Sequence, residues 1–365
     1  MDGEHHVPIG DRVAAWRARR GIAATELASS SGLANQLILD VEAGSDWVDR
    51  HRVLCSLAAG LRLDPADLTG QPYAPHGAQH GAVRAAAWHL RRHVVPTGPR
   101  APHVPGRGRA ELRSGAEEVS AAQAAGDEHT LALRLPALLE LADQAVAEEE
   151  GGPDAKAART AVYVAAAALL RRLGYWDLAW SLLHRAGPTA GDQLAAEEIR
   201  LLTSMALPEV AADRAEQHVA TARSVGLLCA AALAHASAGR QHQTEALLGE
   251  AAARIDDEVE AAEVTVAKAG SAMQFGALDQ VLELEAAAAL MPPARRADLL
   301  LLGSAAWARG TDTGRAAERL AAAEDAAPLY IRLDPLAREL LHALRARDTD
   351  GTGLLARMAR SFGMR

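Results

Sequence analysis

The sequence predicts an all-α protein built from a small N-terminal helical domain and a longer stack of helical hairpins. With 365 residues, the chain exceeds the length at which a single hydrophobic core usually stops growing, so two domains are expected. Hydrophobic residues make up 49% but aromatic residues only 3%, and Ala and Leu dominate the apolar fraction. Because strands need β-branched and aromatic residues, this composition favours helices throughout.

The first two helices are predicted from apolar spacing and glycine stops. Ile9, Val13 and Trp16 recur at three- and four-residue intervals, and this pattern ends at Gly21, a typical helix C-terminal residue. A second helix follows over about 24–31 and stops at a glycine, which can adopt the left-handed conformation of a tight turn.

Three further short helices complete the N-terminal domain. The third is predicted over 35–43 and ends before Gly44. The fourth spans about 53–61, and the fifth begins where Asp64 can cap the helix and Pro65 fits its first turn. Together these signals predict five helices within residues 1–70.

Two motifs lie within these five helices. They are Glu26-Leu27-Ala28-x3-Gly32-Leu33-x4-Ile38-x2-Val41-Glu42-x-Gly44 and Leu61-x-Leu63-Asp64-Pro65-x-Asp67-Leu68. With the five-helix pattern, they resemble the Cro/C1-type (XRE) helix-turn-helix family, whose DNA-binding domain has a lambda-repressor-like fold. The resemblance implies that helix 35–43 enters the major groove of DNA while helix 24–31 crosses the backbone.

The resemblance also implies candidate DNA contacts. The positions that would face the bases are Asn35, Gln36, Leu37 and Asp40. Side-chain amides can make paired hydrogen bonds to adenine, and a leucine can touch the methyl group of thymine. The candidate phosphate contacts are Arg17, Arg19, Arg20, Arg50 and Arg52.

The N-terminal domain departs from the family in its charge. Ala23, Ala24 and Ala34 replace residues that usually cap helices and contact phosphate, and Asp40 adds a negative charge. Residues 1–70 carry seven arginines against ten acidic residues, a net charge of −3. Because DNA affinity depends largely on phosphate neutralisation, dimerisation or a basic neighbouring segment must compensate. The alternative is a degenerate helix-turn-helix that contacts protein.

Residues 71–110 are predicted to form a basic linker with one helix. Segments 70–78 and 96–108 are rich in Pro and Gly, and residues 71–110 hold six arginines and no acidic residue. A helix is predicted over about 79–95, which could pair with its copy in a dimer or pack on the second domain. His89 and His93 lack a third ligand at suitable spacing, so no metal site is expected.

Residues 111–345 show a repeated pattern of helix breaks. The breaks fall at Gly174, Leu207-Pro208, Gly239, Gly276 and Gly310. Their intervals of about 33, 32, 37 and 34 residues match the 34-residue period of tetratricopeptide repeats. The best unit, Ala167-Leu170-Gly174-Tyr175-Trp176-Asp177-Ala179-Leu183-Ala186, resembles that family. We therefore expect an α-solenoid over 111–345, followed by a capping helix and tail over 346–365.

In such a solenoid the first helix of each hairpin forms the inner wall, where a peptide or small molecule can bind. The inner-wall positions implied by the repeats are Arg171, Arg172, Ser204, Cys229, Met273, Gln274 and Arg309. Arg171 and Arg172 could hold a carboxylate with paired hydrogen bonds. Alternatively, these adjacent arginines only stabilise a helix C-terminus in solvent.

Several function classes are not expected. The chain has no phosphate-binding glycine loop, paired catalytic carboxylates or nucleophile-base arrangement, so no enzyme activity, catalytic residue or cofactor is expected. Its two cysteines, Cys55 and Cys229, suggest neither a disulfide framework nor a metal site. Without a signal peptide or a run of roughly 18 apolar residues, it is expected to be cytoplasmic and nucleoid-associated, with no membrane partner.

The two resemblances together imply an actinobacterial-type transcriptional regulator. Its expected partners are a double-stranded DNA operator, a second copy of the chain in a homodimer, and a peptide or small-molecule effector. The alternative function is a protein-protein adaptor whose helix-turn-helix no longer binds DNA.

Overall fold

The computed structural model describes residues 7–94, 107–147, 153–187, 191–348 and 353–364. Within these ranges the ordered elements are helices, and no strand is present. The predicted all-α fold class, with a five-helix N-terminal domain followed by a solenoid of hairpins, is confirmed.

The N-terminal domain consists of five helices around one apolar core. They are α1 Ile9–Arg20, α2 Ala24–Ser31, α3 Asn35–Glu42, α4 His51–Leu61 and α5 Pro65–Thr69. Val13, Leu27 and Ile38 are fully buried in this core. Gly21 and Gly32 end α1 and α2 with φ values of 64° and 68°, a conformation that glycine adopts without strain.

Helix α3 packs closely on α1 because Gly10 has no side chain. A Cβ atom at Gly10 would overlap the backbone carbonyl oxygen of Val41. We expect Gly10→Ala to lower the free energy of unfolding by about 1–3 kcal/mol, as overpacking usually does. Chemical denaturation measures the change. At Gly81, in a later helix, a Cβ atom would meet open space, so Gly81→Ala should stabilise the protein by ~0.5–1 kcal/mol. Equal effects of the two substitutions would contradict the close packing.

The helix of the predicted linker packs on the hairpin domain. It is α6 Gly77–Arg91, and its buried Val83 and Leu90 join a core shared with two helices of that domain. Upstream of α6, the buried Gln71 donates hydrogen bonds from Nε2 to the backbone oxygens of Arg172 and Leu333. The predicted linker is therefore packed on the hairpin domain from Gln71 to the end of α6. Pairing of α6 with a second copy stays a prediction. Most of the second Pro-rich stretch, 96–108, lies outside the described residues.

The described part of the hairpin domain contains six consecutive helix pairs. The pairs are α7 Arg107–Ala125 with α8 Glu128–Ala147, α9 Pro153–Leu173 with α10 Trp176–Ala186, α11 Asp192–Ser204 with α12 Pro208–Val219, α13 Val225–Ser237 with α14 Gln241–Ala252, α15 Glu258–Phe275 with α16 Leu278–Glu285, and α17 Pro293–Arg309 with α18 Thr313–Ala326. The predicted breaks are present: Gly174, Gly239 and Gly276 have φ values of 84°, 77° and 76° between paired helices. The first helices of successive pairs contact one another and form one continuous wall.

The C-terminal part of the chain covers the last hairpin. It comprises α19 Pro328–Arg332, α20 Pro335–Arg347 and α21 Gly353–Ser361. Leu355 and Met358 of α21 are buried in a core shared with α18 and α20. A helix therefore lies where the sequence predicts a cap.

The hairpin domain also closes on itself. Helices α7 and α8 of the first pair contact α17 and α19 near the other end of the domain. Arg172 makes part of this closure, because its Nη2 donates a hydrogen bond to the backbone oxygen of Tyr330 and its guanidinium lies 3.3 Å from the centre of the Tyr330 ring. The first helices of the pairs consequently surround a central space.

None of the described helices is long and apolar enough to cross a membrane.

Candidate DNA-binding surface and central cavity

Helix α3, the predicted reading helix, has an accessible outer face. Gln36 is exposed, Leu39 is 41% exposed, and Asn35 and Asp40 are half-buried. Leu37, the remaining predicted base contact, packs partly against the core of the N-terminal domain. The polar tip of α3 thus remains accessible although the domain is packed on its neighbour.

Local hydrogen bonds hold Gln36 and Asp40 of α3. Gln36 Nε2 donates to the carboxylate of Asp40 at 2.8 Å, and Ser45 Oγ donates to the backbone oxygen of Asp40. Asn35 Oδ1 is buried and accepts no hydrogen bond from the described residues. Because Gln36 Nε2 carries two N–H groups, one of them stays available to a base while the other donates to Asp40.

The five candidate phosphate contacts separate into two groups. Arg17, Arg19 and Arg20 lie at the end of α1; the last two are exposed, whereas Arg17 makes two hydrogen bonds of 2.7 Å to the Glu42 carboxylate. The positive charge of Arg17 is therefore already neutralised by α3.

Arg50 and Arg52 form the second group and lie against the hairpin domain. The backbone N–H of Arg52 donates to Gln274 Oε1 at 2.9 Å, and its guanidinium lies beside Gly239. Arg50 forms an ion pair with Asp49 and lies beside Gly276. In this arrangement both arginines occupy the contact between the two domains.

The segment before α4 is held by two arginines of the hairpin domain, and Arg309 of α17 makes most of the contacts. Arg309 donates from Nε to Asp49 Oδ2 at 2.6 Å, from Nη1 to Asp46 Oδ1 at 2.5 Å and from Nη2 to the backbone oxygen of Trp47 at 2.8 Å. Its guanidinium lies 4.0 Å from the centre of a Trp47 ring, and Arg347 lies 4.2 Å from a Trp47 ring centre. We call these contacts the Arg309 clamp.

A second contact between the domains involves a buried carboxyl group. Glu339 of α20 is 3% exposed, and its Oε2 accepts a hydrogen bond of 3.0 Å from the backbone N–H of Ile9 at the start of α1. Burial raises the pKa of Glu339 to about 7. The folded protein therefore favours the neutral acid over the carboxylate.

This raised pKa predicts a pH dependence of stability. The folded-state pKa of Glu339 exceeds the usual value of 4.5, so its contribution is complete below about pH 4.5 and is lost as the pH rises through about 7. At ~1.4 kcal/mol per pKa unit, the loss is on the order of 3 kcal/mol. Denaturant unfolding at successive pH values should show that Glu339→Gln removes this loss. The exposed Glu318→Gln should keep the wild-type profile; identical profiles for both variants would contradict the assignment.

A cavity of about 420 Å³ occupies the centre of the hairpin domain. Helices α9, α11, α13, α15 and α17 supply much of its wall, and Trp47, Asp49 and His51 of the N-terminal domain supply its roof. Burial and the nearby Arg171 lower the pKa of His51 to about 4, so its ring is neutral near pH 7. The two domains thus share one cavity.

The cavity includes three of the seven predicted inner-wall residues: Arg171, Arg172 and Ser204. Gln274 and Arg309 instead contact the N-terminal domain, as described above. Cys229 and Met273 are buried between helices and are not in the cavity lining, and burial raises the pKa of the Cys229 thiol to about 12.

The cavity wall carries a chain of ion pairs that sequence reasoning missed. Arg171 binds Glu197 at 2.6 Å, and Arg200 lies 3.9 Å from the other Glu197 oxygen. Arg200 and Arg295 then bind the two oxygens of Glu263, at 3.0 and 2.6 Å. These residues lie on α9, α11, α15 and α17, each of which is the first helix of a hairpin. Their position on first helices is the sequence feature that could have identified them as cavity residues.

The chain continues to the closure of the hairpin domain. Arg295 also binds Asp298 at 2.9 Å, and Asp298 accepts a hydrogen bond of 2.7 Å from the Tyr330 hydroxyl. Arg172, which stacks on Tyr330, binds Glu128 at 2.8 Å. Charged side chains therefore connect the closure to the middle of the cavity.

Among the described residues, no group of three or more His, Cys, Asp or Glu side chains is arranged to hold a metal ion. His89 is exposed, whereas His93 is buried with its Nδ1 3.5 Å from Asp143 Oδ2.

The fold and the cavity define a helical protein in which a five-helix N-terminal domain covers a closed ring of hairpins. No protein-family model matches the chain, and no curated protein matches it. Among solved structures, it is similar to the crystal structure of Bacillus thuringiensis PlcR in complex with the peptide PapR7 and DNA. The two chains are 12% identical over 94% of this chain and 99% of that chain, with a TM-score of 0.30.

Proposed function

We propose that this protein is an XRE-type, sequence-specific DNA-binding transcriptional regulator whose hairpin domain senses a small-molecule or peptide effector. The observation that carries the proposal is the double role of the N-terminal domain. Its helix α3 exposes Gln36 and Leu39, while its Trp47, Asp49 and His51 cover the central cavity. One small domain therefore has a surface suited to DNA and a second surface exposed to an internal ligand.

DNA reading would use the N-terminal half of α3. An α-helix fits the major groove, and the exposed amide of Gln36 can make two hydrogen bonds to an adenine edge. A good contact of this type contributes about 1–3 kcal/mol of discrimination against the wrong base. The second N–H group of Gln36 Nε2 would make the base contact while the first donates to Asp40.

The charge of the domain makes a homodimer the effective binding unit. With a net charge of −3 over residues 1–70, one copy neutralises few phosphates. Two copies can contact two half-sites about one helical turn apart, roughly 34 Å, which doubles the contacts made by exposed arginines such as Arg19 and Arg20. We place this regulator in the cytoplasm, bound to the nucleoid.

Effector binding would act through the contact between the domains. A ligand shifts a conformational equilibrium only if it binds one arrangement better than another. Because the roof of the cavity belongs to the N-terminal domain, a ligand in the cavity contacts that domain directly. Its occupancy can thus change the position of α3 in each copy of the dimer.

A second candidate is a protein-protein adaptor with an idle helix-turn-helix. The observation in its favour is the state of the arginines: Arg17 is paired with Glu42, and Arg50 and Arg52 lie against the hairpin domain. An adaptor would show no salt-dependent affinity for DNA, whereas a regulator would.

The test of the proposed function is a double substitution on α3. Asn35→Ala with Gln36→Ala should abolish sequence-specific retention of genomic DNA fragments while the helical circular dichroism spectrum is unchanged. Capture of genomic fragments on immobilised full-length protein, followed by sequencing, provides the measurement. The matched control, Gln241→Ala with Gln243→Ala, changes two exposed amides on α14 and should retain the wild-type fragments. Equal fragment sets for all three proteins would overturn the assignment of α3.

A further inference from the structure

The central cavity has one apolar side and one charged side. The apolar side includes Leu233, Val266 and Leu301, which are half-buried and line the space. The charged side is the chain of ion pairs that contains Arg200 and Arg295. A ligand that fills this cavity must therefore have an apolar body and a polar or charged group.

The arginines, rather than their partners, form most of the accessible charged surface. The side chains of Arg200 and Arg295 are 28% and 32% exposed, whereas those of their partners Glu263 and Asp298 are 19% and 21% exposed. Farther along the chain of ion pairs, Glu197 and Glu128 are each 3% exposed. The two glutamates therefore lie behind the guanidinium groups that hold them. A ligand on this side of the cavity would meet the N–H donors of these arginines beside the less exposed carboxylates of Glu263 and Asp298.

Arg200 and Arg295 lie next to each other, and their ion pairs do not use all of their N–H groups. They bind opposite oxygens of Glu263, so two guanidinium groups share one carboxylate at this point. The contacts of Arg295 use Nη1 for Asp298 and Nη2 for Glu263. A guanidinium has five N–H groups in a planar fork that matches a carboxylate, so both arginines can donate to an additional anionic oxygen.

We propose that the cavity binds an organic carboxylate with an apolar body, its carboxylate seated against Arg200 and Arg295. This inference rests on the proposed function, since it names the chemical class of the effector. The volume of about 420 Å³ is in the range of small-molecule sites. A small organic acid and the C-terminus of a short apolar peptide present the same chemistry, and the probes below distinguish them.

Ligand-induced thermal stabilisation of the full-length protein tests the carboxylate class. The small-acid probes are octanoate and 3-phenylpropionate, each compared with its primary amide, and octylamine is the cationic counterpart. Trileucine and its C-terminal amide test the peptide source. We expect at least one carboxylate to raise Tm by several degrees at millimolar concentration, and its amide and octylamine to have little effect.

Three variants test the position of the carboxylate. Arg200→Gln and Arg295→Gln should each weaken binding of the stabilising probe at least tenfold by calorimetry. Arg134→Gln, which removes a surface ion pair with Glu118, should leave its Kd unchanged. Ala168→Leu narrows the cavity without changing its charge and should also prevent binding of the probe. This variant tests the site even if the arginine variants do not fold.

Three results would overturn the inference. The first is equal or greater stabilisation by the amides or octylamine, and the second is stabilisation by none of the carboxylates. The third is wild-type affinity in the arginine and Ala168 variants. The Tm shifts and the calorimetric Kd values do not depend on α3. If no carboxylate binds, the DNA-capture test of the proposed function still stands. If DNA capture fails, a measured carboxylate site would still stand.

Discussion

Replacing Arg309 by glutamine should detach the N-terminal domain from the hairpin domain. Arg309 makes hydrogen bonds to Asp49, Asp46 and the backbone of Trp47, and its guanidinium stacks on the Trp47 ring. Asp49 is 7% exposed, so the substitution leaves a buried carboxylate with Arg50 as its remaining ion-pair partner. Removing one partner of a buried ion pair typically costs about 3–5 kcal/mol.

Detachment should be visible as a loss of cooperativity. We expect the wild-type protein to unfold in one transition, and Arg309→Gln to show a separate, earlier transition for the N-terminal domain. Hydrogen exchange should accelerate over 45–51, the segment held by the Arg309 clamp, and much less in α13 and α14. These local rates identify the domain that has been released.

The matched control is Arg315→Gln on α18. Arg315 also stacks on a tryptophan, Trp307, but its side chain is 60% exposed and it contacts no residue of the N-terminal domain among those described. This variant should behave like the wild type. If Arg309→Gln also unfolds in one transition with unchanged exchange over 45–51, the clamp does not hold the domains together.

Replacing Arg172 by glutamine should open the closed hairpin domain. Arg172 of α9 makes three contacts in the closure. It binds Glu128 of α8, donates to the Tyr330 backbone oxygen and stacks on the Tyr330 ring of α19. Burial raises the pKa of Glu128, and Arg172 opposes that rise. Without Arg172 the buried carboxylate loses its cation, at a cost of about 3–5 kcal/mol.

A double-mutant cycle isolates this interaction. Glu128→Gln combined with Arg172→Gln should recover part of the stability lost in Arg172→Gln, because the uncompensated charge is removed. The control cycle uses Arg134 and Glu118, an ion pair between exposed side chains for which a coupling of ~0.2–1 kcal/mol is expected. Denaturant unfolding measures both cycles. Additive effects at Arg172 and Glu128 would show that the closure does not depend on this pair.

The N-terminal domain could be predicted from sequence because its signals are local. Gly21 and Gly32 stop helices, and Asp64 accepts a hydrogen bond from the backbone N–H of Ala66 at the start of α5. Such signals depend on residues a few positions apart, so the observed helix bounds lie within a few residues of the predicted ones. The glycines between hairpins were predictable for the same reason.

The closure and the contact between domains could not be predicted in this way. Arg309 and Asp49 are separated by 260 residues, and their contact depends on the curvature accumulated over all the hairpins. A repeat pattern assigns a residue to the first helix of a hairpin, but the direction of its side chain depends on how neighbouring helices rotate. Cys229 and Met273 therefore lie inside the wall, whereas Arg200 and Arg295 line the cavity.

Fluorescence anisotropy of a labelled DNA fragment from upstream of the protein's own gene, measured over a series of salt concentrations, tests the central claim most directly. The wild-type protein should bind with an affinity that falls steeply as salt increases, because binding releases counterions from the DNA. The Asn35→Ala, Gln36→Ala variant should retain only weak, non-specific binding. Absence of binding at low salt, or wild-type affinity in the α3 variant, would contradict the account.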